Sequence, residues 1–154
     1  MSKVSKAIEF AKEKHKGQKY ASGDYFDNHV AGVAESVNKA LSEKMGVPST
    51  RFTLLLTVAY LHDTVEDSNA TIIEIEEIFG LDVADAIDAM THREGEEYQE
   101  YVKRAIQNEL ARVVKYHDIM FNLNQTMKDS IDTNIGKRRS LKYMKALRQF
   151  SDFL

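Results

Sequence analysis

The sequence predicts an all-α fold, a single compact bundle of about eight helices, on three observations. A single proline, Pro48, stands in 154 residues, so little interrupts a helix. Three of the seven glycines (Gly17, Gly46 and Gly80) fall where a periodic segment stops. Apolar residues recur at helical spacing in segment after segment, with few β-branched runs between them.

Each element follows in order. Ala7, Ile8 and Ala11 share a face of a first helix over 4–16, stopped by Gly17. GQKYASGDYFDN has turn residues and aromatics but no period, and reads as a loop. A second helix carries Val30, Val33, Ala34, Val37 and Leu41 and ends near Gly46. Ser49 or Thr50 caps a third, over 51–63, apolar nearly all round. Thr71 caps a fourth over 72–79, ended by Gly80. Asp82 opens a fifth, bearing Val83, Ala86, Ile87 and Met90. Two more cover 98–106 and 110–123, and the last runs from near Lys137 to Phe153. No repeat, linker or low-complexity stretch divides residues 1–154, so one domain is expected.

Bulk chemistry narrows the function. With 21 basic and 24 acidic side chains the formal charge is −3, which gives no electrostatic case for nucleic acid or membrane as a partner. The absence of cysteine excludes disulfides, thiolate metal sites and cysteine nucleophiles. The first residues, MSKVSKAIEFAKEKHKG, lack the apolar core of a signal peptide, and the apolar run from Leu54 to Leu61 is too short to span a bilayer. A cytoplasmic protein is the expectation, with self-association into a homo-oligomer left open.

Residues 61–67, LHDTVED, place a histidine and three carboxylates directly after an apolar run. Carboxylates are expensive to desolvate, and at a helix C-terminus they also oppose the macrodipole. A bound cation reverses that sign. If the third helix continues through the segment, Glu66 lies four residues after His62, and Asp67 four after Asp63, on roughly one side. Further ligands are available in His29, which opens the second helix, and in Asp118, an acid among Val113, Val114, Ile119, Met120 and Leu123. Asp118 has a second reading as a buried acid paired with Lys115 or Arg112. Two imidazoles and two carboxylates form a mixed N/O set that favours Mn²⁺, Fe²⁺ or Zn²⁺ over the oxygen cages of Ca²⁺. Glu66 and Asp67, close to the ion but not ligating, would be placed to move protons.

HDTVED resembles the HDxxED signature of the hydrolase domain in RelA/SpoT-type proteins and small alarmone hydrolases, within the HD superfamily. HKGQKYASGDYFDNHVAGVA is similar to the family's opening segment, EDSNATIIEIEEIFGLDVADAIDAMT to the segment after the acidic pair, and VKYHDIMFNL to the later one. The resemblance covers most of the chain. It implies a Mn²⁺-dependent phosphohydrolase, with (p)ppGpp 3′-pyrophosphohydrolysis the specific expectation and a small-molecule nucleotide the substrate. In that scheme His29, His62, Asp63 and Asp118 hold the metal, and Glu66 and Asp67 activate water. Asn122, Arg139 and Tyr143 grip the nucleotide, and Lys19 and Tyr20 stand in its base-reading loop.

The sequence departs from the family pattern at that loop. Tyr20 occupies the position where relatives often carry a base-stacking arginine, and Tyr25-Phe26 and His29-Val30 replace Pro-Tyr and His-Pro pairs. Ile119 and Phe121 replace commonly polar residues. Another nucleotide (a nucleoside mono- or triphosphate) is therefore the alternative substrate, and a weakly catalytic nucleotide-binding regulator the alternative class. The run GKRRSLK (136–142) reads as a solvated helix start, with a phosphate-binding role as its alternative, and His15, His92 and His117 as structural.

Overall fold

The computed structural model describes residues 1–154. Its helices are α1 (Lys3–Lys14), α2 (Ala31–Ser42), α3 (Ser49–Leu61), α4 (Thr64–Asp67), α5 (Ile72–Phe79), α6 (Leu81–Ala89), α7 (Tyr98–Ile106), α8 (Glu109–Asp129) and α9 (Asn134–Arg148). The eight expected helices are all there, and α4 is an added single turn.

Local chemistry explains the boundaries. Side chains of Ser2, Thr71, Asn108 and Thr133 each accept a first-turn backbone N–H, satisfying donors that the helix itself cannot. Gly80, with φ of 95°, ends α5 and starts α6 in one residue. That left-handed turn is open to glycine without strain.

α3 is the central strut, with Leu55, Thr57, Val58, Ala59 and Leu61 all buried. α1 and α2 pack on it, α8 crosses both α2 and α3, and α9 lies along α8. The main core joins Ala7, Val33, Val37, Val58, Ile75, Phe79, Ile87 and Val114, drawn from six helices. A smaller core of Val102, Ile106, Ile119, Ala146 and Phe150 ties α7 and α9 to the other side of α8. Sitting between two cores, α8 presents its middle, including Asp118, to the interior.

Two stretches depart from the sequence reading. The expected loop over 17–28 contains a two-residue antiparallel hairpin, β1 (Lys19–Tyr20) with β2 (Gly23–Asp24), in which Lys19 faces Asp24 and Tyr20 faces Gly23. It leads into a π-helical turn, Phe26–Val30, which runs directly into α2. The wider turn buries Phe26, His29 and Val30 together, so His29 precedes the regular helix rather than opening it. The second departure lies in LHDTVED. α3 stops at Leu61, Asp63 adopts φ −106° and ψ 1°, and α4 starts afresh. The Thr64 hydroxyl donates to the Leu61 carbonyl at 2.8 Å, replacing a helical bond at the break.

Candidate metal centre and its cavity

His62 stands at the break after α3. Its Nδ1–H donates to the Ala59 carbonyl at 2.7 Å, which fixes the tautomer and leaves the Nε2 lone pair facing away from the helix. That Nε2 lies 3.3 Å from Nε2 of His29, 3.1 Å from Oδ2 of Asp63 and 3.5 Å from Oδ1 of Asp118. His29 Nε2 is 3.2 Å from the same Asp63 oxygen and 3.1 Å from the same Asp118 oxygen. All four residues are buried, and their donor atoms lie within 4.8 Å of one another.

Two buried carboxylates beside two imidazole nitrogens require positive charge among them. Protonation reflects the same demand. Burial alone would lower the histidine pKa values and raise the aspartate ones, yet mutual attraction outweighs it. His29 is raised, His62 is raised well above its ordinary value, and Asp63 and Asp118 are held well below theirs. The donor set fits a divalent cation of the Mn²⁺, Fe²⁺ or Zn²⁺ kind.

Asp118 divides its oxygens. Oδ2 accepts from the buried Lys115 ammonium at 2.9 Å, while Oδ1 faces the histidines and accepts from Asn122 Nδ2 at 3.1 Å. The pairing with Lys115 therefore uses one oxygen and leaves the other facing the two histidines. Asn122 Oδ1 in turn accepts from the Tyr20 hydroxyl at 2.7 Å. The Tyr20 ring lies stacked on His29, centroids 4.6 Å apart.

Glu66 and Asp67, on α4, hang over this set without joining its four ligand atoms. Glu66 Oε1 accepts the His92 backbone N–H at 2.7 Å, and Asp67 Oδ2 accepts from the Tyr25 hydroxyl at 3.1 Å. Burial, reinforced by the Asp63 charge, raises both carboxyls above their ordinary range, and those hydrogen bonds offset part of the rise. The direction is the one that proton transfer near neutrality requires.

A cavity of about 300 Å³ collects His29, Asp63, Glu66, Asp67, Asp118 and Asn122 with Lys115, Lys142, His92 and Tyr25, Tyr98, Tyr101 and Tyr143. A second, of about 380 Å³, holds Lys19, Tyr20, Arg139 and Gln125 and shares Asn122 and Tyr143 with the first. Of the eleven residues singled out from the sequence, His29, Asp63, Glu66, Asp67, Asp118, Asn122 and Tyr143 line the first cavity, His62 lies buried against its wall, and Lys19, Tyr20 and Arg139 line the second hollow. A larger surface hollow around Arg51, Asp82 and Glu109 contains no histidine and no converging donor set.

Lys115, Lys142, His92 and Tyr25 are cavity residues that the sequence reading did not assign to the site. Lys115 carried a signal, three positions before Asp118. Lys142 lies in the run read as a solvated helix start, yet its ammonium sits over the rings of Tyr98 at 4.5 Å and Tyr143 at 4.9 Å. Burial, then Arg139 and Lys115, lower its pKa. His117 turns away from the ligands and bonds Ser36 Oγ through Nδ1 at 2.7 Å.

A helical bundle that closes two histidines and two aspartates beneath a free acid pair has the fold of an HD-domain hydrolase, with a site able to hold a metal. The chain is 34% identical over 127 residues to guanosine-3′,5′-bis(diphosphate) 3′-pyrophosphohydrolase MESH1 of Xenopus tropicalis, covering 78% of this chain and 67% of that protein. It is 30% identical over 123 residues to the MESH1 protein of Danio rerio, covering 75% of this chain and 64% of that protein. The chain belongs to this RelA/SpoT-type family. A GTP pyrophosphokinase rsh of Brucella melitensis is 34% identical over 88 residues, which are 57% of this chain and 10% of that protein. The fold matches a solved structure described as a metazoan ortholog of SpoT that hydrolyzes ppGpp, with a TM-score of 0.70 and 20% identity over 98% of this chain and 97% of the other. No protein-family model matches. No helix is long and apolar enough to cross a membrane.

Proposed function

We propose that this protein is a metal-dependent hydrolase of phosphorylated nucleotides, acting on guanosine 3′,5′-bis(diphosphate) to give GDP and pyrophosphate. The observation that carries the reading is that donor atoms of His29, His62, Asp63 and Asp118 lie within 4.8 Å of one another, three of these residues lining the cavity that also holds Glu66 and Asp67. The names of the relatives supply the substrate.

His29, His62, Asp63 and Asp118 would hold the cation, with Mn²⁺ the specific proposal. When bound, it supplies Lewis acidity, lowering the pKa of water and neutralising charge that develops on phosphoryl oxygens. The chain's own residues do the rest. Glu66 or Asp67 takes a proton from the water that attacks the phosphorus bonded to the ribose 3′ oxygen. The bond from that oxygen to phosphorus breaks, pyrophosphate departs, and the 3′ oxygen of GDP keeps a proton returned by the acid pair. Lys142, a cation over two tyrosine faces with the metal set in the same cavity, is placed to hold a phosphate. The second hollow, between Lys19, Tyr20, Arg139 and Tyr143, takes the nucleoside. Asn122 has both amide atoms engaged by Asp118 and Tyr20, so it serves the ligand set first and meets the nucleotide only through its edge.

Incubation of purified protein with Mn²⁺ and ppGpp tests the proposal: GDP and pyrophosphate appear, and a chelator stops the reaction. Intact ppGpp beside consumption of another nucleotide favours the second reading, a nucleoside mono- or triphosphate hydrolase. Tyr20, on His29 where relatives often carry arginine, is the observation behind that reading. Tight ppGpp binding without turnover identifies a regulator instead. A cytoplasmic location and action without nucleic acid or membrane belong to the same proposal, and self-association is read from sedimentation.

A further inference from the structure

Tyr25 bridges the two halves of the site. Its hydroxyl lies 2.7 Å from Asp63 Oδ2 and 3.1 Å from Asp67 Oδ2. The Asp63 oxygen is the one that faces both histidine Nε2 atoms. A phenol has one proton to donate, so the nearer Asp63 oxygen takes the stronger share and Asp67 is held beside it.

The tyrosine is itself fixed on all sides. Its ring stacks on His15, centroids 4.9 Å apart, tilts against His29 at 5.3 Å and meets Tyr20 edge-on at 5.9 Å. Its backbone N–H donates to the Gln18 carbonyl at 3.0 Å. The Gln18 side chain donates to the Asp67 carbonyl at 2.6 Å and accepts from His15 Nδ1 at 2.8 Å. His15, Gln18, Asp67 and Tyr25 therefore form a closed ring of contacts joining α1, the hairpin and α4. Packing alone does not require the hydroxyl: a phenylalanine would fill the same space against His15 and His29.

We infer that Tyr25 is a positioning residue whose hydroxyl orients the Asp63 carboxylate toward the cation and holds Asp67 at a set distance from it. Metal affinity and proton transfer are then linked through one phenol. The inference rests on the reading of the four-residue cluster as a cation site and of Asp67 as a proton-transfer group. It concerns a position where the family pattern described above carries proline.

Tyr25→Phe tests it, since only the oxygen is removed. Manganese chloride is titrated into metal-free protein by calorimetry, with no nucleotide present, after circular dichroism shows the variant folded. Loss of a hydrogen bond to a ligating carboxylate predicts an affinity weaker by about 10- to 100-fold. With the nucleotide that the wild type hydrolyses, kcat falls while KM stays within about twofold, and the fall shrinks in an Asp67→Asn background. Mn²⁺ affinity equal to wild type, or losses in kcat that simply multiply with those of Asp67→Asn, overturn the inference. A wild type that binds Mn²⁺ and leaves ppGpp intact overturns the proposed substrate instead, and the titration still decides on Tyr25.

Discussion

Lys115 and Asp118 form a buried ion pair, Nζ to Oδ2 2.9 Å, one turn apart on α8. It supplies one fixed positive charge to a site with two buried aspartates, and leaves the second to be met by whatever the histidines share. Lys115→Met removes the fixed charge and strands the carboxylate. Breaking a buried pair in this way costs about 3–5 kcal/mol. The metal-free variant should melt well below the wild type, and saturating Mn²⁺ should recover part of the difference. A metal-free melting temperature like that of wild type would contradict the assignment.

Asp118→Asn and His62→Ala each delete a proposed ligand. Losing several kcal/mol of charge stabilisation lowers hydrolysis on the order of a thousandfold. Calorimetric titration should show Mn²⁺ binding weakened in parallel. In wild-type protein, chelation should abolish activity and added Mn²⁺ restore it.

Glu66 is anchored by the His92 N–H rather than by the histidine cluster. Glu66→Gln should reduce kcat by about 10²- to 10⁴-fold, the usual range for a lost acid or base. Its Mn²⁺ affinity should stay close to wild type. Equal losses in affinity and turnover would instead make Glu66 a ligand.

The segment that carries His92 is pinned by Glu96, whose two oxygens accept from Arg104 Nε and Nη2, each at 2.9 Å. The Arg104 guanidinium holds the Glu96 pKa down, from 4.5 to about 2. A carboxyl lowered on folding contributes stability above its unfolded pKa and loses it as pH falls through the folded one. Acid melting curves should therefore show a loss between pH 4.5 and about 2 that Glu96→Gln removes. A wild-type curve with the same slope as the variant would discount the pair.

Gly32 faces Phe121, which meets the His29 ring edge-on at 5.3 Å. A Cβ at Gly32 would sit 2.4 Å from Phe121 Cε2, so the ring must move. Gly32→Ala should cost about 1–3 kcal/mol in denaturant unfolding, the range for overpacking. Displacement of Phe121 should also weaken Mn²⁺ binding through His29.

The helical segments, the cap at Thr71 and the stop at Gly80 were legible because they rest on interactions within a few residues. The string from His62 to Asp67 announced its chemistry for the same reason: four polar groups after an apolar run need a local explanation. Its backbone was not legible, because the break at Asp63 is stabilised by Thr64 and by the positions of partners elsewhere in the chain. Tyr25 stood out only as a departure from the family pattern, with no sign of its partners. Its loop has no period, and its meaning depends on Asp63 and Asp67, 38 and 42 residues away. Lys142 was hidden in a basic run, where sequence does not tell which single side chain turns inward. Sequence alone thus determined the α-helical segments and the residues chemically able to bind a cation. The tertiary structure decided which oxygen of Asp118 meets Lys115, that Asn122 is bonded to Tyr20, and that a phenol joins the two acids. Those choices are set by packing among distant helices, and no short-range rule encodes them.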